Sequence, residues 1–327
     1  MKRVLTRQYG LLRKAAAGFA AKRLAGRVNF ERPIFLLGAP RSGSSMLSDL
    51  VIAHFDVWSC PRESDRAWWS LFPYPDEDWS DEIRLDQFEA HADADRLKLA
   101  LLELAVYRRG FSATGYWRKA CQQRSLYVEK TIANAFHLDV IHRVFPDARY
   151  IHLVRDGREN VSSMLEGWRS GRFLPRPLPE AIDTELERWC FPYPPGWQDQ
   201  LQRPLNEVCA WSWAEHNDSI IAAIERNGRE QQTLTLRYSD VLEHPEEAIR
   251  RVAEHIGLHV LDQQSVASTL RSDSWSTVSK PEKDKWRKIN REEIEAVEHM
   301  IQPVMERLDA RAIDLAPSHE PEHSMTS

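Results

Sequence analysis

A chain of 327 residues with 42% hydrophobic and 28% charged side chains has the composition of a soluble globular protein, which excludes collagen-like, disordered and membrane-spanning classes. The 44 basic and 49 acidic groups leave a net charge of −5, and residues 1–27 hold eight of the basic groups and no acid. The remainder is therefore acidic, and a nucleic-acid surface, which needs its basic footprint on the folded domain, is excluded.

Residues 1–30 are expected to form a basic amphipathic helix, with Leu5, Tyr9, Leu12, Ala16 and Phe19 recurring at three-and-four spacing. A helix docked on the domain is the plainer reading, and a peripheral membrane contact through residues 1–27 the sharper one. From Pro33 the pattern changes to the apolar run Ile34 to Leu37, a buried strand entering a Gly-Ala-Pro loop. A helix over Ser44 to His54 should follow. Further strands are predicted at Leu126 to Glu129, Arg149 to Val154 and Thr233 to Tyr238, with helices at Asn134 to Phe145, Gly157 to Arg169 and Val241 to Ile256. This alternation predicts an α/β, P-loop-like three-layer sandwich: a central parallel sheet, helices on both faces, and ligands at the carboxyl ends of the strands. Residues 31–316 form one domain on this reading, and residues 317–327 a disordered tail. Two insertions, about 61–124 and 170–204, interrupt the alternation and are expected to be irregular lids. Helices over Leu205 to Arg226 and Glu292 to Leu308 complete the layers. Four cysteines, Cys60, Cys121, Cys190 and Cys209, lack CxxC or CxxH spacing, so no zinc site and no disulfide framework are predicted. The expected compartment is the cytoplasm.

The strongest chemical signal is Gly38-Ala39-Pro40-Arg41-Ser42-Gly43-Ser44-Ser45, between a predicted strand and a predicted helix. Backbone N–H groups in such a loop wrap an anion, and the helix terminus adds partial positive charge. The spacing is that of a Walker A loop except that Ser44 stands where its lysine belongs, which weakens an ATP or GTP reading. The second signal is Arg155, delivered to the end of a strand, with Ser163 two helical turns later. A guanidinium fork suits a terminal phosphate.

Together these segments resemble the two cosubstrate signatures of sulfotransferases that use 3′-phosphoadenosine 5′-phosphosulfate (PAPS). The segment Leu236 to Pro245, with Tyr238, is similar to the tyrosine-acidic-leucine stretch of the same family. The PRSG wording lies nearer its bacterial, tyrosylprotein and carbohydrate branches. The resemblance implies that Pro40, Arg41, Ser42, Gly43, Ser44 and Ser45 hold the 5′-phosphosulfate, with Arg41 also the catalytic cation. It implies Arg155 and Ser163 for the 3′-phosphate, Tyr238 beside the nucleotide, and Lys280 in a loop closing over it. Glu63 matches the place of a catalytic glutamate, although pairing with Arg62 or capping a helix reads it as well. Lys130, in Glu129-Lys130-Thr131, matches a lysine facing the active site, but Ile132 stands where relatives carry proline. Glu129 and His137 are alternative bases. PAPS is the implied cosubstrate and no metal is required. The expected reaction is in-line transfer of a sulfonate to a hydroxyl of a carbohydrate, lipid or small metabolite, and Trp68, Trp69 and Trp79 read either as packing or as an acceptor wall. A P-loop kinase and a non-catalytic nucleotide-binding module are the alternatives.

Overall fold

Four consecutive apolar residues can bury both faces of a strand, and Ile34–Leu37 (β1) does so inside a seven-stranded sheet. The computed structural model describes residues 30, 32–60, 62–72, 80–107, 111–112, 126–173, 176, 178, 186, 188–262, 265–270, 277–280, 282–313 and 315. The expected helix over 1–30 (but for residue 30), Trp79, most of the proline-rich stretch at 174–179 and the tail after 317 lie outside these residues. The other strands are β2 (Trp58–Ser59), β3 (Val106–Tyr107), β4 (Phe111–Ser112), β5 (Tyr127–Glu129), β6 (Arg149–Val154) and β7 (Thr233–Arg237). Their order is β4-β3-β2-β5-β1-β6-β7. The five strands from β2 to β7 run parallel, with Ile34 opposite both Val128 and Arg149, and Val154 opposite Arg237. The antiparallel β3 and β4, absent from the sequence expectation, extend one edge.

The helices are α1 (Ser44–His54), α2 (Asp65–Leu71), α3 (Leu85–His91), α4 (Ala94–Leu104), α5 (Leu138–Val144), α6 (Gly157–Arg169), α7 (Leu205–Arg226), α8 (Tyr238–Glu243), α9 (Pro245–Ile256), α10 (Val266–Leu270), α11 (Trp286–Ile289) and α12 (Arg291–Asp309). Side chains alternate across β1, so its two faces build two layers. Ile34 and Leu36 pack with Leu47 and Val51 of α1 and Ile249 and Val252 of α9. Phe35 and Leu37 pack on the opposite side with Leu138 and Ile141 of α5 and Ile220 of α7. A third cluster joins α6, α7 and α12 through Met164, Trp213 and Ile301, and takes in Trp189 and Trp197 of the second insertion.

Three boundaries differ from the sequence reading. The expected helix at Asn134 begins as a 3-10 turn, Ile132–Phe136, and becomes α-helical only in α5. The expected helix over Val241 to Ile256 is two, because Pro245 has no N–H to continue α8 and instead starts α9. The first insertion is not irregular throughout, since it supplies α2, α3 and α4. Trp68 and Trp69 are neighbours on α2, about 100° apart around its axis, so one faces in and the other out. Trp68 is buried in the core against His137, and only Trp69 is exposed, which removes Trp68 from the acceptor wall.

Candidate active site

β5, β1 and β6 are adjacent and parallel, so their carboxyl ends form one edge and three loops meet there. The β1 loop turns through Arg41, at φ 66°, and Gly43, at φ 97°, the second of which caps α1. A β-carbon at Gly43 would lie 2.5 Å from the Tyr238 ring, so both the backbone conformation and the close approach call for glycine. Asn160 of α6 holds the loop from beneath, its Nδ2 donating to the Pro40 carbonyl at 2.7 Å.

From β6, Arg155 crosses to the same loop. Its Nη1 donates to the Arg41 carbonyl at 3.2 Å, its Nε faces Glu159 at 3.4 Å, and its guanidinium lies 4.7 Å from the centre of the Tyr238 ring. Arg41 lies over Phe173 at 5.0 Å. Burial, then the neighbouring Arg155, lowers Arg41 to about 10, so it stays charged at neutral pH in a place that disfavours a second cation. Such crowding suits a polyanionic ligand. Burial also pushes the Tyr238 phenol up.

These groups border a cleft of about 370 Å³ that Arg41, Gly43, Ser44, Ser45, Arg155, Ser163, Tyr238 and Lys280 all line. Pro40 and Ser42 do not line it. The Pro40 carbonyl is taken by Asn160, Ser42 N donates to Ala39 O at 3.2 Å, and the Ser42 hydroxyl is buried where a Gly38 side chain would be. The loop that carries Lys280 was expected over the nucleotide; the α6 carboxylates that fasten it were not singled out. Lys285 donates to both oxygens of Glu166 at 2.9 and 2.8 Å, and Ser279 donates to Glu166 at 2.8 Å. Asp284 N donates to Glu159 at 3.2 Å, so two α6 carboxylates about two helical turns apart fasten the late loop over the cleft. The seven-residue spacing from Glu159 to Glu166 was the only sequence signal, and it reads equally as a solvated helix face.

One strand over, beyond β5, Lys130 Nζ donates to Glu63 Oε1 at 2.6 Å, with the lysine 3% and the glutamate 25% exposed. The two expected groups are thus joined, outside the lining of the nucleotide-sized cleft. Glu129 is fully buried and takes hydrogen bonds from Ser64, Thr131 and Asn134, which leaves it no open face to meet an acceptor. His137 is also enclosed. Its Nε2 donates to the Asp81 carbonyl at 2.6 Å, and burial lowers it to about 3, so neither alternative base is placed to act. Asp81 in turn pairs with Arg176, whose guanidinium lies 5.7 Å from the Trp69 ring. Among the described residues no cluster of His, Cys, Asp or Glu could hold a metal, and no helix is long and apolar enough to cross a membrane.

Asp65, not singled out in the sequence, is raised to about 7 by burial first and then by Glu63, with Asp81 and Glu129 adding and Arg176 opposing. A raised folded-state value means that the native protein keeps a proton the unfolded chain releases near pH 4, so stability is lost as pH climbs from about 4 through about 7. The wild-type melting temperature should therefore fall between pH 5 and pH 8 more steeply than that of Asp65→Asn, by the equivalent of a few kcal/mol. Parallel melting curves across a pH series would remove Asp65 as the cause.

Residues 33–262 match the profile of the Sulfotransferase family. The chain belongs to the sulfotransferase family. It is 25% identical to the ω-hydroxy-β-dihydromenaquinone-9 sulfotransferase Stf3 of Mycobacterium tuberculosis, over 76% of this chain and 68% of that one. It is 24% identical to a Caenorhabditis briggsae chain provisionally named a protein-tyrosine sulfotransferase, over 72% of this chain and 69% of that one. A sulfotransferase structure from Alicyclobacillus acidocaldarius aligns at 16% identity and a TM-score of 0.47, covering 85% of this chain and 95% of that one. A mouse sulfotransferase solved with PAP aligns at 14% identity and a TM-score of 0.45, covering 89% and 91%.

Proposed function

We propose that this sulfotransferase uses PAPS and transfers the sulfonate to a hydroxyl of a small, uncharged or weakly charged acceptor, a lipid, glycan or metabolite. The observation that carries the reading is the convergence of Arg41 and Arg155 from adjacent strand ends on one cleft, joined at 3.2 Å through the Arg41 carbonyl. The residues fit a nucleotide bearing phosphates at both ends. Ser44, Ser45 and Arg41 would hold the 5′ end, Arg155 and Ser163 the 3′-phosphate, and Tyr238 and Lys280 the sides. The kinase alternative is weakened by the same loop, in which Ser44 replaces the lysine that would grip a γ-phosphate.

In the transfer, the acceptor oxygen forms a bond to sulfur as the bond from sulfur to the bridging phosphate oxygen breaks. Arg41 would offset charge gathering on that leaving oxygen. Glu63 would accept the acceptor's hydroxyl proton, and Lys130, held against it, would face the equatorial sulfonate oxygens. The acceptor side would carry Glu63 and the exposed Trp69, with Lys130 and Arg176 as the cations beside them. The relative named for a hydroxylated menaquinone agrees with a lipid-like acceptor.

Calorimetric titration tests the cosubstrate. Adenosine 3′,5′-bisphosphate should bind at least tenfold more tightly than 5′-ADP, which is about 1.4 kcal/mol, and more tightly than ATP with magnesium. Preference for ATP with magnesium would overturn the assignment in favour of a kinase.

A further inference from the structure

The Glu63–Lys130 pair is carried by two loops with no strand pairing of their own, one after β2 and one after β5. What fastens those loops is a buried polar cluster beside the pair. Glu129 Oε1 accepts from the Ser64 hydroxyl at 2.5 Å and from the Thr131 hydroxyl, while Oε2 accepts from Asn134 Nδ2. Thr131 Oγ1 also accepts the Ser64 backbone N–H at 2.7 Å. The flanking residues of the pair, Ser64 next to Glu63 and Thr131 and Glu129 on either side of Lys130, are thus tied to each other. All three are under 3% exposed.

A buried carboxylate is costly, and an apolar residue would fill the place with no desolvation penalty. Both oxygens of Glu129 are occupied by donors, which is the arrangement that lets such a group persist. We propose that Glu129 is a positioning residue: it registers the loop after β2 against the loop after β5 so that Glu63 and Lys130 meet at the acceptor. The inference rests on the reading of Glu63 as the proton acceptor. Asn134 also lies beside His137, whose Nε2 donates to the Asp81 carbonyl, and the Asp81 carboxylate pairs with Arg176. Glu129→Gln replaces one of the two acceptor oxygens by an N–H with almost no change in volume, so at least one of the three donors must turn away or exchange roles and the register is loosened.

The test is a double-mutant cycle on the full-length protein with labelled PAPS and an acceptor found by screening, read as kcat and as affinity for adenosine 3′,5′-bisphosphate. Glu129→Gln should lower kcat about 30-fold, the scale of an error of under 1 Å in placement, with nucleotide affinity within about twofold of wild type. In a Glu63→Gln background the same change should cost less than about threefold, since a group acting through Glu63 has little left to position. Parallel loss of kcat and nucleotide affinity, or a full 30-fold loss in the Glu63→Gln background, would overturn the proposal. If Glu129→Gln does not fold, Ser64→Ala removes a single donor; it should lower kcat about fivefold with the same non-additivity, and unchanged kcat would overturn the proposal. A fully active Glu63→Gln protein defeats the base assignment itself, whereas an inactive Glu63→Gln protein beside a fully active Glu129→Gln one defeats the positioning role alone.

Discussion

Arg41→Ala is expected to lower sulfonate transfer by about 10²–10³-fold while affinity for adenosine 3′,5′-bisphosphate falls by less than about tenfold. The asymmetry follows from where Arg41 sits. It shares the loop with Arg155, and burial plus that neighbour already lowers it to about 10, so in the resting cleft part of its charge works against a second cation. Deleting it relieves that repulsion, which offsets part of the lost attraction for the bound product. In the transition state negative charge builds on the bridging oxygen, and there the missing guanidinium has no substitute among the loop hydroxyls of Ser44 and Ser45. Alanine keeps the backbone at φ 66° no easier than arginine does, so the loop conformation is not relaxed by the change as it would be by glycine. Single-turnover transfer and calorimetric titration of the same preparation decide the matter. Equal losses in rate and affinity would make Arg41 a binding group only.

The strands and loops that carry nucleotide chemistry were legible because they follow local rules. β1 is a continuous apolar run and β6 two apolar pairs split by His152, their ends are followed by Gly38 and by Arg155-Asp156, and the cleft residues of these two loops lie near those ends. The Ser42 hydroxyl turns inward for a local reason too: a loop serine has two directions available, and this one packs where a side chain at Gly38 would sit. What escaped was charge held where charge is rarely found. Asp65 is half-buried and Glu129 enclosed, yet along the chain an acidic residue beside lysine or arginine looks like surface, and one of the three donors that make Glu129 tolerable arrives from Ser64, 65 residues away. The clamp of Lys285 on Glu166 spans 119 residues, beyond any periodic pattern. β3 and β4 are two residues each, too short for alternation to show.

Arg155→Ala should weaken adenosine 3′,5′-bisphosphate binding by about 2 kcal/mol, close to 30-fold, the scale of a lost charged hydrogen bond. From the sequence, 5′-ADP binding would be nearly unchanged, since that nucleotide has no 3′-phosphate to lose. The structure changes that expectation. Arg155 Nη1 donates to the Arg41 carbonyl at 3.2 Å and its guanidinium covers the Tyr238 ring at 4.7 Å, and that ring abuts Gly43. Removing Arg155 therefore loosens one support of the 5′ loop and one face of Tyr238, and leaves Glu159 as an acidic wall of the cleft without the partner that screened it. A loss of about threefold is expected for 5′-ADP, well below that for the bisphosphate. Arg155→Lys separates the two effects: its point charge still attracts a phosphate, but it lacks the planar fork that reaches the Arg41 carbonyl and Glu159 at once. It should recover part of the 3′-phosphate preference without recovering 5′-ADP affinity. Losses of the same size for both nucleotides in Arg155→Ala would confine this residue to bracing the loop and move the 3′-phosphate elsewhere in the cleft.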